Sequence, residues 1–235
     1  MVRAMDGSKP IFVINPKNET FGEPLLELAL IADSCAAQYD VHVIITCSPC
    51  DLFRISAATR HLFVFGQHID PIASGPTTGK ILPEALRAAG AVGTMLNHPE
   101  HLMLFSDVQK AIVRAHACDL IALVFAQTLE EAVALAWMNA DMVMVEKPQF
   151  IASNTILDSK YIMQVTEAVR TVKSDMLVLQ GAGIKSGQDV HRVLAAGVQG
   201  TGSSSGIFKA KDPRSMMREM IEGARRGWDA RTSQG

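Results

Sequence analysis

Six short stretches place chemically useful side chains just past apolar runs. "VMVEKP" carries Glu146, "INPKN" carries Asn15 and Lys17, and "FGQH" carries Gln67 and His68. "LNHPEH" carries Asn97, His98, Glu100 and His101. Two small-residue turns complete the set, Gly181-Ala182-Gly183 and Ser203-Ser204-Ser205-Gly206. A carboxylate at the end of a buried run is costly unless it is paired, solvated or used. Here one accompanies an ammonium, imidazoles and a second carboxylate, the groups that move protons and balance developing charge. The small turns can offer backbone N–H groups to an anion such as phosphate. Each feature also has a simpler account: Lys17 as a surface lysine, His98 and His101 as capping or core histidines, the turns as plain connections. Their coincidence favours a site. "GAGIKSG" lacks the G-x-G-x-x-G spacing and gives a dinucleotide little support.

The elements that must hold these side chains alternate regularly. Apolar runs predict strands over 11–15, 41–46, 62–66, 91–97, 120–126, 141–146, 175–180 and 198–203. Amphipathic stretches predict helices over 24–38, 51–59, 83–89, 106–117, 128–139, 158–173, 187–196 and 213–226. Leu25, Leu28, Ala29 and Ala32 show the spacing of a helix with one buried face. Ser106 with Asp107, Thr128 with Glu130 and Glu131, and Ser186 read as helix starts. Gly90 and Gly197 read as stops. Eight strand–helix pairs with nothing left over predict a (β/α)8 barrel, an α/β fold spanning residues 1–235 as a single domain. Strands apolar on both sides fit a parallel sheet covered by helices. A doubly wound open sheet would normally begin with a Gly-rich turn after its first strand, and "INPKNETFGEP" is not one. The last strand is the weak element, because "GTGSS" is poor in β-branched residues. In such a barrel the active site forms at the C-terminal strand ends, with phosphate often held after strands 7 and 8. All six stretches fall there.

Hydrophobic residues make up 48% of the chain and charged ones 20%, which supplies ample core for a globular protein. A net charge of -2, with basic residues dispersed apart from Arg225 and Arg226, argues against nucleic acid or an anionic membrane as partner. "MVRAMDGSKP" lacks the apolar core of a signal peptide, and no run approaches the roughly 18 residues of a membrane span. A cytoplasmic protein is expected. Cys47-Ser-Pro-Cys50 is a C-x-x-C between a strand and a helix, open to a redox role or to being two thiols in a loop. As half of a zinc site it lacks a second pair, since neither Cys35 nor Cys118 has a partner at the usual spacing.

Taken in order, the motifs resemble the triosephosphate isomerase family, in its shorter archaeal-type form. "INPKN" resembles the first-strand Asn-x-Lys, and "FGQHIDPIASGPTTGKILPEAL" the third loop with its threonine-glycine tip. "GAVGTMLNHPEHLM" resembles the His-x-Glu region and "VMVEKP" the Glu-Pro region. "LQGAGIKSGQDV" and "SSGIFKAKDP" resemble loops 7 and 8, so the likeness runs from about residue 11 to 225. It implies a TIM barrel that interconverts dihydroxyacetone phosphate and glyceraldehyde 3-phosphate through an enediolate, without metal or cofactor. By resemblance Glu146 is the base, His98 polarises the substrate oxygens, and Lys17, placed by Asn15 and oriented by Glu100, stabilises the enediolate and the phosphate. Backbone groups near Ala152, Gly183, Ser204 and Ser205 would hold the phosphate. The loop around Thr77 and Thr78 would reach into a second subunit, implying a homodimer or a homotetramer.

The departures bear on the substrate. Lys147 stands before Pro148, the hinge of the lid reads Ala152-Ser153-Asn154, Pro99 follows His98, and strand 8 is Gly-Thr-Gly-Ser instead of aliphatic. They leave two alternatives beside triose phosphate: isomerisation of another small sugar phosphate, such as a four-carbon one, or a barrel that binds phosphorylated metabolites without catalysis. Intact Lys17, His98 and Glu146 weigh against the second, since binding alone needs no proton shuttle.

Overall fold

The computed structural model describes residues 5–146 and 158–232. Along them run β1 (Ile11–Ile14), α1 (Gly22–Tyr39), β2 (His42–Cys47), α2 (Pro49–Ala58), β3 (Phe63–Gly66), α3 (Pro83–Ala88), β4 (Gly93–Leu96) and α4 (Phe105–Ala117). There follow β5 (Ile121–Ala126), α5 (Leu129–Trp137), β6 (Met142–Val145), α6 (Ser159–Val172), β7 (Leu177–Gln180), α7 (Gly187–Ala195), β8 (Gly200–Ser203), α8 (Ser205–Phe208) and α9 (Pro213–Thr232). The strands are all parallel and close in chain order, β8 pairing back to β1, so the fold is the expected (β/α)8 barrel. Side-chain alternation along each strand divides the core in two. Ile11, Val13, Phe63, Phe65, Leu123 and Leu179 fill the barrel, while Phe12, Ile14, Val43 and Val64 face the helices. This two-sided burial is why the strands read as unbroken apolar runs.

β8 forms despite its composition, because what it must fit is a close approach. A Cβ on Gly200 would lie 2.5 Å from the Ile11 carbonyl oxygen, and one on Gly202 would lie 2.8 Å from that of Val13. Packing against β1 decides here, and strand propensity does not.

Helix ends follow local chemistry in most places. Thr128 and Ser186 accept hydrogen bonds from the N–H groups of Glu131 and Asp189, as N-caps should. Gly90 and Gly197 stand just past α3 and α7 with φ of 95° and 98°. The Ser106 cap is corrected: α4 starts one residue earlier, Leu104 is its N-cap, and no side chain caps it. The reason lies upstream, where Asn97 Oδ1 accepts the Met103 N–H at 3.0 Å and fixes how the chain enters the helix. The four-residue α8 was not expected, being too short to show periodicity. Among the described residues no helix is long and apolar enough to cross a membrane.

Candidate active site

Because the strands are parallel, their C-terminal ends share one face, and a cleft opens there. Asn15, Lys17, His98, Glu146, Gly183, Ser204 and Ser205 all line it. Six strands contribute to the same opening, β1, β4, β5, β6, β7 and β8.

Glu146 leaves the barrel directly after β6, its N–H bonded to the Ala126 carbonyl at 2.9 Å. Its side chain is 13% exposed and lies over Gly181, where an added Cβ would come within 3.1 Å of Oε1. Burial pushes its carboxyl up to about 7; the Lys17 charge and a hydrogen bond from the Ala182 backbone oppose this only in part.

His98 follows β4 and is buried, with Phe125 of β5 edge-on at 4.7 Å between ring centroids. Burial brings its imidazole down to about 4, with Lys17 and His101 acting the same way and Glu100 opposing. The ring is therefore neutral near pH 7. Its Nδ1 accepts the Glu100 N–H at 3.1 Å, which leaves the proton on Nε2. Nε2 points into the cleft, 3.8 Å from Glu146 Oε2. A neutral donor thus faces a carboxylate that titrates at neutral pH.

Lys17 adopts a left-handed backbone, φ 52°. Two side chains hold its peptide groups: Asn15 Oδ1 accepts the Lys17 N–H at 2.9 Å, and Gln67 Nε2 donates to the Lys17 carbonyl at 2.9 Å. Its Nζ pairs with Glu100 Oε1, so one residue steadies both the lysine and, through its backbone, the histidine.

Beside Glu146 lies the turn after β7, where Ala182 and Gly183 both have positive φ, 65° and 76°. Ser203 Oγ donates to the Ile184 carbonyl at 3.0 Å, tying this turn to the end of β8. Gly206 must be small, since a Cβ there would lie 2.5 Å from both Ile184 O and Ser203 Oγ. Two backbone turns are thereby held side by side at the cleft wall.

The family model for triosephosphate isomerase matches residues 10–223. The chain belongs to the triosephosphate isomerase family. The triosephosphate isomerase of Methanothermus fervidus is 35% identical over 218 residues, covering 91% of this chain and 98% of that one. That of Methanocaldococcus jannaschii is 34% identical over 218 residues, covering 90% and 99%. The crystal structure of the Bartonella henselae enzyme shares the fold with a TM-score of 0.72 at 20% identity, over 92% of this chain and 99% of that one.

Within this family frame, the geometry joins all the expected site residues of the described segments except Thr78. Thr77 and Thr78 lie exposed on the loop between β3 and α3, away from their own cleft. Asp70 closes the base of that loop, accepting the Ile81 N–H at 2.7 Å and pairing with Lys80 at 3.0 Å. Ala152, with Lys147, Ser153 and Asn154, lies outside the described residues. Sequence reasoning gave no role to Phe125, Val13 and Met144, which line the cleft but look like any other strand residue. It also passed over Thr46, whose hydroxyl at the end of "VHVIIT" was the one visible signal. Cys47 is the last residue of β2 and buried, with its thiol pushed up to about 12 by burial, while Cys50 sits exposed in the first turn of α2. A thiol so far from ionising is a poor partner for disulfide exchange, which weighs against the redox role. The loop expected for the two thiols is corrected, since one ends a strand and the other stands in the first turn of a helix.

Proposed function

We propose that this chain interconverts dihydroxyacetone phosphate and D-glyceraldehyde 3-phosphate, as the proteins it resembles are named for doing. Glu146 takes a proton from the carbon beside the carbonyl and returns it to the neighbouring carbon. Nε2 of His98 donates its proton to the carbonyl oxygen and takes the hydroxyl proton of the neighbouring oxygen in return, the second proton the isomerisation must move, while the ammonium of Lys17 stabilises the charge that develops. The backbone N–H groups of Gly183, Ser204 and Ser205, and by resemblance Ala152, hold the phosphate. Supporting this most strongly is the pairing of Glu146, at about 7, with a neutral His98 across 3.8 Å. Triosephosphate isomerase is itself the standard example of a glutamate base beside a neutral histidine, so the pairing is matched here and not discovered. Its physical sense is direct. A base is most effective when its pKa lies near the working pH, and an uncharged imidazole does not weaken it by ion pairing.

The second reading, isomerisation of a four-carbon sugar phosphate, draws on Gly202. This residue lines the cleft beside Met144, in a strand that the family resemblance leads one to expect to be aliphatic. A coupled isomerase assay with glyceraldehyde 3-phosphate and a panel of four- and five-carbon sugar phosphates separates the two. Wild-type turnover of the triose is expected, falling by roughly 10²- to 10⁴-fold in Glu146→Gln. Turnover untouched by that substitution would refute the assignment of the base, and no turnover of any sugar would refute enzymatic function.

The assembly belongs to the same proposal. A cavity of about 510 Å³ opens beside Lys17, lined by Asn15, Gln67, His68, Glu100 and His101. It suits the threonine tip of the same loop from a second copy, giving a homodimer or an assembly of dimers.

A further inference from the structure

Asn15 sits at the centre of the lysine's support, and what fixes Asn15 is a residue outside the cleft. Its Oδ1 accepts two hydrogen bonds, the Lys17 N–H at 2.9 Å and the Thr46 hydroxyl at 3.1 Å. Because the backbone N–H can only donate, the atom facing it must be the amide oxygen, and the hydroxyl must donate as well. Thr46 is fully buried in β2, next in the barrel to β1. The second bond pins the amide plane, turning Nδ2 toward Met95 Sδ at 4.0 Å and the cleft. A left-handed conformation in a residue with a side chain is disfavoured and persists only where its surroundings impose it. At Lys17 the Asn15 oxygen is one of the two groups imposing it, the other being Gln67.

We propose that Thr46 is a positioning residue for the isomerisation: its hydroxyl holds the Asn15 amide, which holds Lys17 in the strained backbone that aims its ammonium into the cleft. This inference rests on the reading of Lys17 as a group that contacts the substrate. Thr46 itself touches no reacting atom. Its contribution passes through one side chain and one peptide group, so it should appear in the rate of the chemical step more than in substrate capture.

The test compares full-length wild type with Thr46→Val, which keeps the shape and loses the hydroxyl, and Thr46→Ser, which keeps the hydroxyl. Thr46→Ala serves as a second deletion should the valine variant fold poorly. Loss of one buried hydrogen bond predicts a fall in kcat of roughly tenfold for Thr46→Val and Thr46→Ala. KM should change by less than about threefold, and Thr46→Ser should stay within about twofold of wild type. Amide hydrogen exchange at Lys17 should speed up in the two variants without the hydroxyl and not in the serine one. Wild-type kcat in both deletion variants, or an equal loss in valine and serine variants, would overturn the proposal. If wild type turned over no sugar, the catalytic reading would fail on its own. Exchange at Lys17 would then decide the structural claim, and unchanged protection in Thr46→Val would overturn it.

Discussion

Burial acts on Glu146 and His98 in opposite chemical senses, because it disfavours whichever form is charged. The carboxyl is held protonated up to about 7 and the imidazole is held neutral down to about 4. Between those values the cleft passes from an uncharged carboxyl facing a neutral ring to a carboxylate facing a neutral ring. Only one of the two groups changes state in the working range. The dependence of kcat/KM on pH reports the free enzyme, so it should break near pH 7 and fall about tenfold per unit below that. The substrate phosphate, which titrates near 6, steepens the fall further down. Rate measurements across this range settle the matter: a single acid limb near the ordinary glutamate value of 4.5 would be incompatible with a buried base. The types and positions of Lys17, His98 and Glu146 were visible in the sequence. The shifts were not, since they arise from neighbours such as Phe125 that stand far along the chain and look like core.

At the scale of elements, periodicity located each strand and each of the longer helices, because burial on both faces of β1 to β7 leaves an unmistakable apolar run. β8 was harder to read. Gly200 and Gly202 are poor strand formers, and only the nearness of the Ile11 and Val13 carbonyls explains why nothing larger fits. The start of α4 lies before Ser106 because the restraint on it comes from Asn97, which fixes the chain at Met103 ahead of the helix by tertiary placement and not by helix capping. The loop from β3 to α3 was legible only through its resemblance to the family. Its base is fastened by Asp70, while Thr77, Thr78 and Gly79 stand exposed with no packing of their own. An arm fastened at its root and bare at its tip suits insertion into another copy. On the proposed insertion, Thr78→Arg would put a long charged side chain where the cavity beside Lys17 would take a small one. By light scattering or sedimentation the variant should have half the mass of the smallest wild-type dimer. Its kcat/KM should drop on the order of 10²-fold, as expected when catalytic groups lose their alignment. Wild type that is itself monomeric at micromolar concentration and fully active would dispose of the intersubunit role.

At the scale of the whole molecule, the same two shifts bear on stability. Free in the unfolded chain, Glu146 titrates near 4.5 and His98 near 6.5. Between those values the folded protein carries its proton on Glu146 and the unfolded chain carries it on His98. Each state binds one proton across the pair, so the pair contributes no slope to stability there. Separating them exposes two opposite slopes. In Glu146→Gln only His98 remains. Its depressed folded value means the unfolded chain binds the extra proton, and stability is full above about 6.5 and lost as pH falls towards 4. In His98→Gln only Glu146 remains. Its raised folded value means the folded protein binds the extra proton, and stability is full below about 4.5 and lost as pH rises towards 7. Each slope approaches about 1.4 kcal/mol per pH unit in the middle of its window. Neither group is among the causes of the other's shift, so each substitution leaves the remaining partner's burial as the dominant influence. All other titrating groups add the same background to the three proteins. Urea unfolding between about pH 5 and pH 6.5 should therefore show Glu146→Gln gaining stability with pH relative to wild type, and His98→Gln losing it. Parallel curves for all three proteins would mean that the cleft does not desolvate these groups, and the neutral-donor, buried-base account of the site would fall with it.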